Sequence, residues 1–320
     1  MRLNPQPIGI PLDGRFRDTL CRMRLAAGLG LVGLLAAQDL PRAILALDGG
    51  KFDEAITALA SLVRRTPDNP EANYYLGLAY FRAERPRDAR PYLEHAAALL
   101  PARPQVWKAL GLTLLKVSDY VPASVALGKT CELDPKDEDA CYLFGRSLYI
   151  QGRYDEAVRP FENALEPAPA ANRANVHRAA ALNYAELGRG EDADRQFRDA
   201  VRLYRAGSGQ PDPRVDYGAF LIAQGRAQDA VKLLTGAATE PQASARAHAE
   251  LGRALLESDR PADALAPLRR AVELDPNGWS VRMMLGKTYL RLGRSEEGER
   301  ELKLGREGWA KQNYGSSTSK

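Results

Sequence analysis

The side chains best suited to chemistry are few in this 320-residue chain and poorly placed for it. Its three histidines, His95, His177 and His248, and three cysteines, Cys21, Cys131 and Cys141, are all its imidazole and thiol ligands. A structural or catalytic zinc site draws several such groups together at short, characteristic spacings. The histidines here are scattered, so no metal is expected. Acids are numerous but spread along helical patterns as surface pairs, so no two stand out as general acid and base. No nucleophile–base set is visible, and no cofactor is expected. Gly28-x-Gly30-x-x-Gly33 has the spacing of a dinucleotide fingerprint, but that motif works only where a strand turns into a helix, and no strand pattern precedes it. Ala123–Thr130 (ASVALGKT) and Gly286-Lys287-Thr288 are fragments of a phosphate loop that fall inside helical patterns. Their amides are already bonded there and have none to offer a phosphate.

Composition narrows the class further. The chain is 45% apolar, 27% charged and 7% aromatic, with net charge +4. Most of that excess comes from the first 37 residues, which carry Arg2, Arg15, Arg17, Arg22 and Arg24 against Asp13 and Asp18. Nucleic acid is therefore not an expected partner. No run approaches the ~20 apolar residues that span a bilayer. Residues Leu25–Ala37 (LAAGLGLVGLLAA) follow Arg22 and Arg24 directly, the order of a secretory leader, with Leu35-Ala36-Ala37 before a cut. Met1 and Met23 are both acceptable starts. Cys21 precedes the apolar run, which disfavours lipid anchoring. The expectation is a leader over 1–37 and a periplasmic or secreted chain; the alternative is a cytoplasmic protein with an uncleaved leader.

The strongest signal is periodic. Gly77, Gly111 and Gly145 are 34 residues apart, and so are Gly218, Gly252 and Gly286. A frame set on them starts near 36, 70, 104, 138, 174, 211, 245 and 279. Its eighth place is always small, from Ala43 to Gly286. Its twentieth place is alanine from Ala55 to Ala264, then Gly298. Four residues on comes Leu59, Leu93, Leu127, Phe161, Phe197, Leu234, Leu268 or Leu302. Helical spacing in both halves of each period makes the unit a two-helix hairpin. Glycine inside a helix costs about 1 kcal/mol, a loss offset where its missing side chain lets two helices approach. A lone hairpin cannot bury both faces and must stack on its neighbours. Pro67, Pro101, Pro135, Pro169 and Pro276 close five periods. Asp39 is the expected first cap, with Pro41 just inside the helix.

The pattern resembles the tetratricopeptide repeat family. Period 70–103 carries Leu76-Gly77, Tyr80, Ala89 and Pro101; period 104–137 carries Trp107, Leu110-Gly111, Ala123 and Pro135. Period 138–171 carries Phe144-Gly145, Ala157, Phe161 and Pro169. The resemblance covers about 36–312 and implies an all-α fold, an α-α superhelix, as a right-handed solenoid of about eight hairpins. The expected organisation is repeats 1–5 over 38–205, a loop or hinge at 206–213, repeats 6–8 over 214–312, and a flexible tail over 313–320. A second irregularity falls at 166–173, around Pro167 and Pro169. Arg42, Gly298 and Gly305 depart from the pattern at the two ends.

The resemblance also implies function. Such proteins bind protein segments on a concave surface lined by the first helices. In this frame Tyr74, Phe81, Arg82, Lys108, Lys116, Tyr142, Arg146 and Tyr149 should line it, suiting an extended segment with acidic and apolar side chains. The alternative is a solvated face whose charges pair with neighbouring repeats. The family's carboxylate clamp is not reproduced, because its asparagines are absent from this groove. Cys131 and Cys141 flank the turn between the third and fourth hairpins. An exported chain that loses Cys21 would keep only this pair, as a disulfide or as reduced core thiols. The leading expectation is a non-enzymatic scaffold or adaptor; the runner-up is an accessory subunit or enzyme with its site on the concave face.

Overall fold

Every hairpin turns in the same way, and the residues responsible sit at fixed places of the repeat. The computed structural model describes residues 31–166 and 168–314, which form sixteen helices and no strand. The chain divides into two compact units, Met1–Tyr92 and Leu93–Lys320. The first holds α1 (Leu31–Asp48), α2 (Phe52–Arg65), α3 (Pro70–Arg82) and the start of α4 (Pro86–Leu99). The second continues with α5 (Pro104–Lys116), α6 (Tyr120–Leu133), α7 (Glu138–Ile150) and α8 (Tyr154–Leu165). Next come α9 (Ala170–Glu186), α10 (Gly190–Leu203), α11 (Pro213–Ala223) and α12 (Ala227–Ala238). The last are α13 (Ala245–Glu257), α14 (Pro261–Leu274), α15 (Trp279–Arg291) and α16 (Ser295–Tyr314).

Within each hairpin the first helix ends on a residue with positive φ. Five are glycines (Gly50, Gly152, Gly188, Gly225, Gly293) and three are not: Glu84, Ser118 and Asp259. The next amide reaches back five residues, as in Arg85 N–H to Tyr80 O at 2.9 Å and Arg226 N–H to Leu221 O at 2.8 Å. This is the Schellman closure, which satisfies carbonyls the helix end would orphan. That amide belongs to a base in most turns, and the base reaches forward to an acid three residues on. Arg85–Asp88, Arg153–Glu156, Arg189–Asp192, Arg226–Asp229, Arg260–Asp263 and Arg294–Glu297 all pair so. Arg85, Arg189 and Arg294 also lie 4.4–4.8 Å over the rings of Tyr80, Tyr184 and Tyr289. Left-handed backbone costs a non-glycine residue about 1–2 kcal/mol. Ser118→Gly, at φ 60°, is therefore expected to stabilise the chain by about 0.5–1 kcal/mol, read as a higher thermal midpoint.

The expected seam between small and large places is present. A Cβ on Gly252 would lie 2.5 Å from Leu268, one on Gly218 2.5 Å from Leu234, and one on Gly145 2.9 Å from the Phe161 ring. Alanine fits the twentieth place, where Ala123, Ala157, Ala193, Ala230 and Ala264 are wholly buried. In the first unit, Ala43, Leu47, Leu59 and Leu76 form the core of α1, α2 and α3. In the second, consecutive helices from α5 to α16 pack in chain order, and α7, α9, α11 and α13 also touch one another in turn. Gly305, off-pattern in sequence, admits the Met283 side chain from α15.

Two expectations change. Asp39 is not a cap: α1 begins by Leu31 and passes through Ala37, Asp39 and Pro41. The leucine- and alanine-rich run is a good helix former, so nothing breaks the helix before Asp39, whose carboxylate pairs instead with Arg65 of α2 at 2.5 Å. The last helix likewise runs on to Tyr314, one residue past the start of the expected tail. The leader residues 1–30, with Met1, Cys21, Met23, Gly28 and Gly30, lie outside the described residues, as do Pro167 and 315–320. No described helix is long and apolar enough to cross a membrane. Both phosphate-loop fragments lie in helices, α6 and α15, where Thr130 and Thr288 bond their hydroxyls to Ala126 O and Met284 O.

Candidate peptide-binding face

The residues expected to bind lie on the first helices of the hairpins in each unit. In the first unit, α3 is capped by Asn69, whose side chain accepts from Ala72 N–H at 3.0 Å, with Pro70 at its first turn. That cap sets the rotation of the helix. Tyr74 is half-buried, edge-on to Tyr75 at 5.1 Å and packed against the α1–α3 core. Phe81 is only 7% exposed, so its ring packs inside the protein. Arg82 is half-buried in the last turn, where a cation suits the helix dipole.

In the second unit, Lys108 of α5 donates to Asp137 at 2.7 Å, and Asp139 lies 3.8 Å away. Asp137 is also the N-cap of α7, accepting from Ala140 N–H at 3.0 Å. Lys108 is thus engaged with the next repeat, the kind of pairing that competes with ligand binding. Lys116 is exposed at the end of α5. Tyr142, Arg146 and Tyr149 follow one another along α7 at helical spacing. The Arg146 guanidinium sits 5.5 Å from the Tyr142 ring centroid. The Tyr142 hydroxyl accepts from Asn175 Nδ2 of α9 at 2.8 Å. Tyr149 donates to Glu186 at 3.5 Å, and burial, followed by the Glu186 charge, pushes its phenol up to about 12.

A polar ladder then continues over helices that the sequence reading left out. Arg178 of α9 donates to Asn175 Oδ1 and, at 2.5 Å, to Asp216 of α11. Arg246 of α13 holds the other Asp216 oxygen at 2.7 Å. Asp216 is 6% exposed and the Arg178 side chain 13%. One step further, burial raises the Glu250 carboxyl despite Arg253 at 2.7 Å. Asn175, Arg178, Asp216 and Arg246 occupy the second, fifth, sixth and second places of their periods. Lys108, Asp139 and Tyr142 hold the second and fifth places upstream, so extending the frame to repeats 5–7 singles out Asn175, Arg178 and Arg246 but not Asp216, which joins them.

Cys131 and Cys141 are joined by a disulfide with Cα atoms 5.1 Å apart, linking α6 to α7 one residue before Tyr142. Elsewhere, an open cleft of about 940 Å³ lies between α10 and the end of α11, lined by Arg195, Arg198, Arg202, Phe220, Gln224 and Arg226 among others. Its arginines already hold carboxylates: Arg195–Asp192, Arg198–Asp194, Arg202–Asp199 and Arg226–Asp194. Burial opposes ionisation of Asp194, but hydrogen bonds from Tyr217, Arg226 and Arg198 outweigh it and hold the carboxyl below its ordinary range. Among the described residues no cluster of His, Cys, Asp and Glu could hold a metal ion.

Comparison with known proteins agrees with this architecture. Tetratricopeptide repeat models match residues 40–104, 221–277 and 255–308. The TPR repeat-containing protein YpiA of Bacillus subtilis (strain 168) is 24% identical over 164 residues, half of this chain and 37% of its own length. The chain therefore spans well under half the length of this curated relative. The crystal structure of YrrB, described as a TPR protein with an unusual peptide-binding site, superposes with a TM-score of 0.50. It is 23% identical and aligns over 54% of this chain and 88% of its own. A crystal structure of MamA gives 0.49 at 23% identity, over 53% and 92%. Residues 40–104 and 221–308 are thus matched as tetratricopeptide repeats, and the hairpins between them carry the same small–large seam.

Proposed function

We propose that the chain is a non-enzymatic scaffold whose first-helix face binds extended segments of partner proteins. The observation that carries this reading is the face of α7, α9, α11 and α13. It presents half-buried aromatics and cations whose positions are set by hydrogen bonds between repeats rather than by solvent. Tyrosine supplies flat contact area at small entropic cost, and arginine can fork a carboxylate. The peptide-binding site ascribed to YrrB supports the reading at the level of a shared fold. The partner on this reading is protein, apolar and acidic in character, with no nucleic acid. The test is co-purification with the double variant Arg82→Glu, Arg146→Glu. Partners held by the wild-type chain should be lost while the thermal midpoint stays put; an unchanged partner set rejects the face.

Export is the second part of the proposal. The charged-then-apolar order of Arg22, Arg24 and Leu25–Ala37 supports a cleaved leader and a periplasmic or secreted protein. The continuity of α1 across Ala37 favours the other reading, a cytoplasmic adaptor that keeps its leader. N-terminal sequencing of the mature protein separates them: a start near Gln38 supports export, and a retained Met1 or Met23 rejects it.

A further inference from the structure

The donors and acceptors of the ladder have only one consistent direction. Asp216, as a carboxylate, accepts from Arg178 and Arg246. Arg178 can only donate, and its Nε and Nη2 lie 3.4 and 3.3 Å from Asn175 Oδ1. That contact fixes the Asn175 amide, so its NH2 faces Tyr142 and donates to the phenol oxygen at 2.8 Å. The Tyr142 hydroxyl is therefore an acceptor in this contact, and its own proton is left to be given elsewhere. Among the described residues no acceptor takes it. One turn along α7, Arg146 lies against the same ring, with no carboxylate partner among the described residues. Both side chains are half-buried, so the phenol proton and the guanidinium can each be given to an incoming acceptor.

We propose that Tyr142 and Arg146 together form a seat for one carboxylate of a bound segment. Asn175, Arg178, Asp216 and Arg246 act as positioning residues that hold the phenol in its donor state. The proposal rests on the first-helix face being the binding face and names the chemistry of one subsite on it. The carboxylate accepts from the Tyr142 O–H and from the Arg146 guanidinium, both charge-assisted contacts. It can come from a glutamate or aspartate side chain or from a C-terminus.

Calorimetric titration of the full chain distinguishes the sources. The probes are N-acetylated hexaglutamate with an amidated end, which has side-chain carboxylates only, and N-acetylated hexaglutamine with a free end. At least one should bind saturably at millimolar concentration or below, and which one does so identifies the source. Tyr142→Phe keeps the ring and should weaken binding about five- to tenfold, the loss of one hydrogen bond to a charged group. Arg146→Gln should weaken it about tenfold or more. Arg159→Gln, an exposed cation of α8, should change it less than about twofold, as expected of a screened surface charge.

Asn175→Asp tests the relay, because a carboxylate there still suits Arg178 but accepts the phenol proton. It should weaken binding by itself and add less in the Tyr142→Phe background. Additive losses overturn the relay. Saturation by neither probe, or an equal loss in Tyr142→Phe and Arg159→Gln, overturns the seat. If the seat fails while Arg82→Glu, Arg146→Glu still releases a protein partner, the binding face survives without it.

Discussion

Phe161→Ala should cost about 3–5 kcal/mol and unfold repeat 4 first. Phe161 is 1% exposed, and its ring fills the space left by the missing side chain of Gly145. It also lies 6.2 Å from the Tyr142 ring, so its loss removes the floor under α7. Little can collapse into the gap, because α7 and α8 already meet at glycine distance and a backbone cannot move closer without breaking the neighbouring seams. The cost should thus fall at the upper part of the range for cavity-forming changes. Amide hydrogen exchange is the measurement to use. Protection should fall in α7 and α8, less in α5 and α6, and least in α15 and α16, since stacked repeats couple only to their neighbours. A uniform loss across the second unit would mean that it unfolds as one body.

Asp216→Ala has the next largest expected effect, about 3–5 kcal/mol, because it strips the partner from a guanidinium that remains buried. Arg178 keeps only Asn175 as an acceptor, whereas Arg246, 42% exposed, turns to water at little cost. Replacing both charges, as in Arg178→Met with Asp216→Leu, should recover most of the loss, since a buried ion pair and a well-packed apolar pair are often of similar stability. Denaturant midpoints of the three variants give the comparison. If Asp216→Ala alone behaves like the double variant, the ladder contributes no orientation worth a penalty when half of it is removed.

The fold was legible because its determinants are local and repeated. The eighth and twenty-fourth places each serve a single steric need, so a glycine such as Gly252 and its leucine Leu268 announce one another at any point in the chain. The hairpin turns were less legible, because Glu84, Ser118 and Asp259 take the left-handed conformation that glycine would have advertised. Asp39 misled for a different reason: an acid before a proline is good capping chemistry only where the preceding residues do not already form a helix. For the proposed binding face, residue type at the right place of the frame singled out Lys108 and Tyr142 but said nothing of their partners. Whether Lys108 is available or engaged depends on Asp137, which also caps the following helix. The ladder through Arg178 and Asp216 links residues 38 positions apart, and no local pattern in either helix marks it.

The recurrence of one turn geometry leaves its mark on how such a chain can change length. Each joint is closed by the same back-reaching amide, and five of the seven successive periods start 34 residues after the last. Excising or copying one such stretch brings together ends that already match, with no new loop to invent and no strand order to preserve. Gain and loss of whole modules are therefore cheaper routes to a longer or shorter stack than remodelling any single one. The ladder from Tyr142 to Arg246 is where that freedom stops, because its members belong to different modules and a copy inserted among them would cut the line.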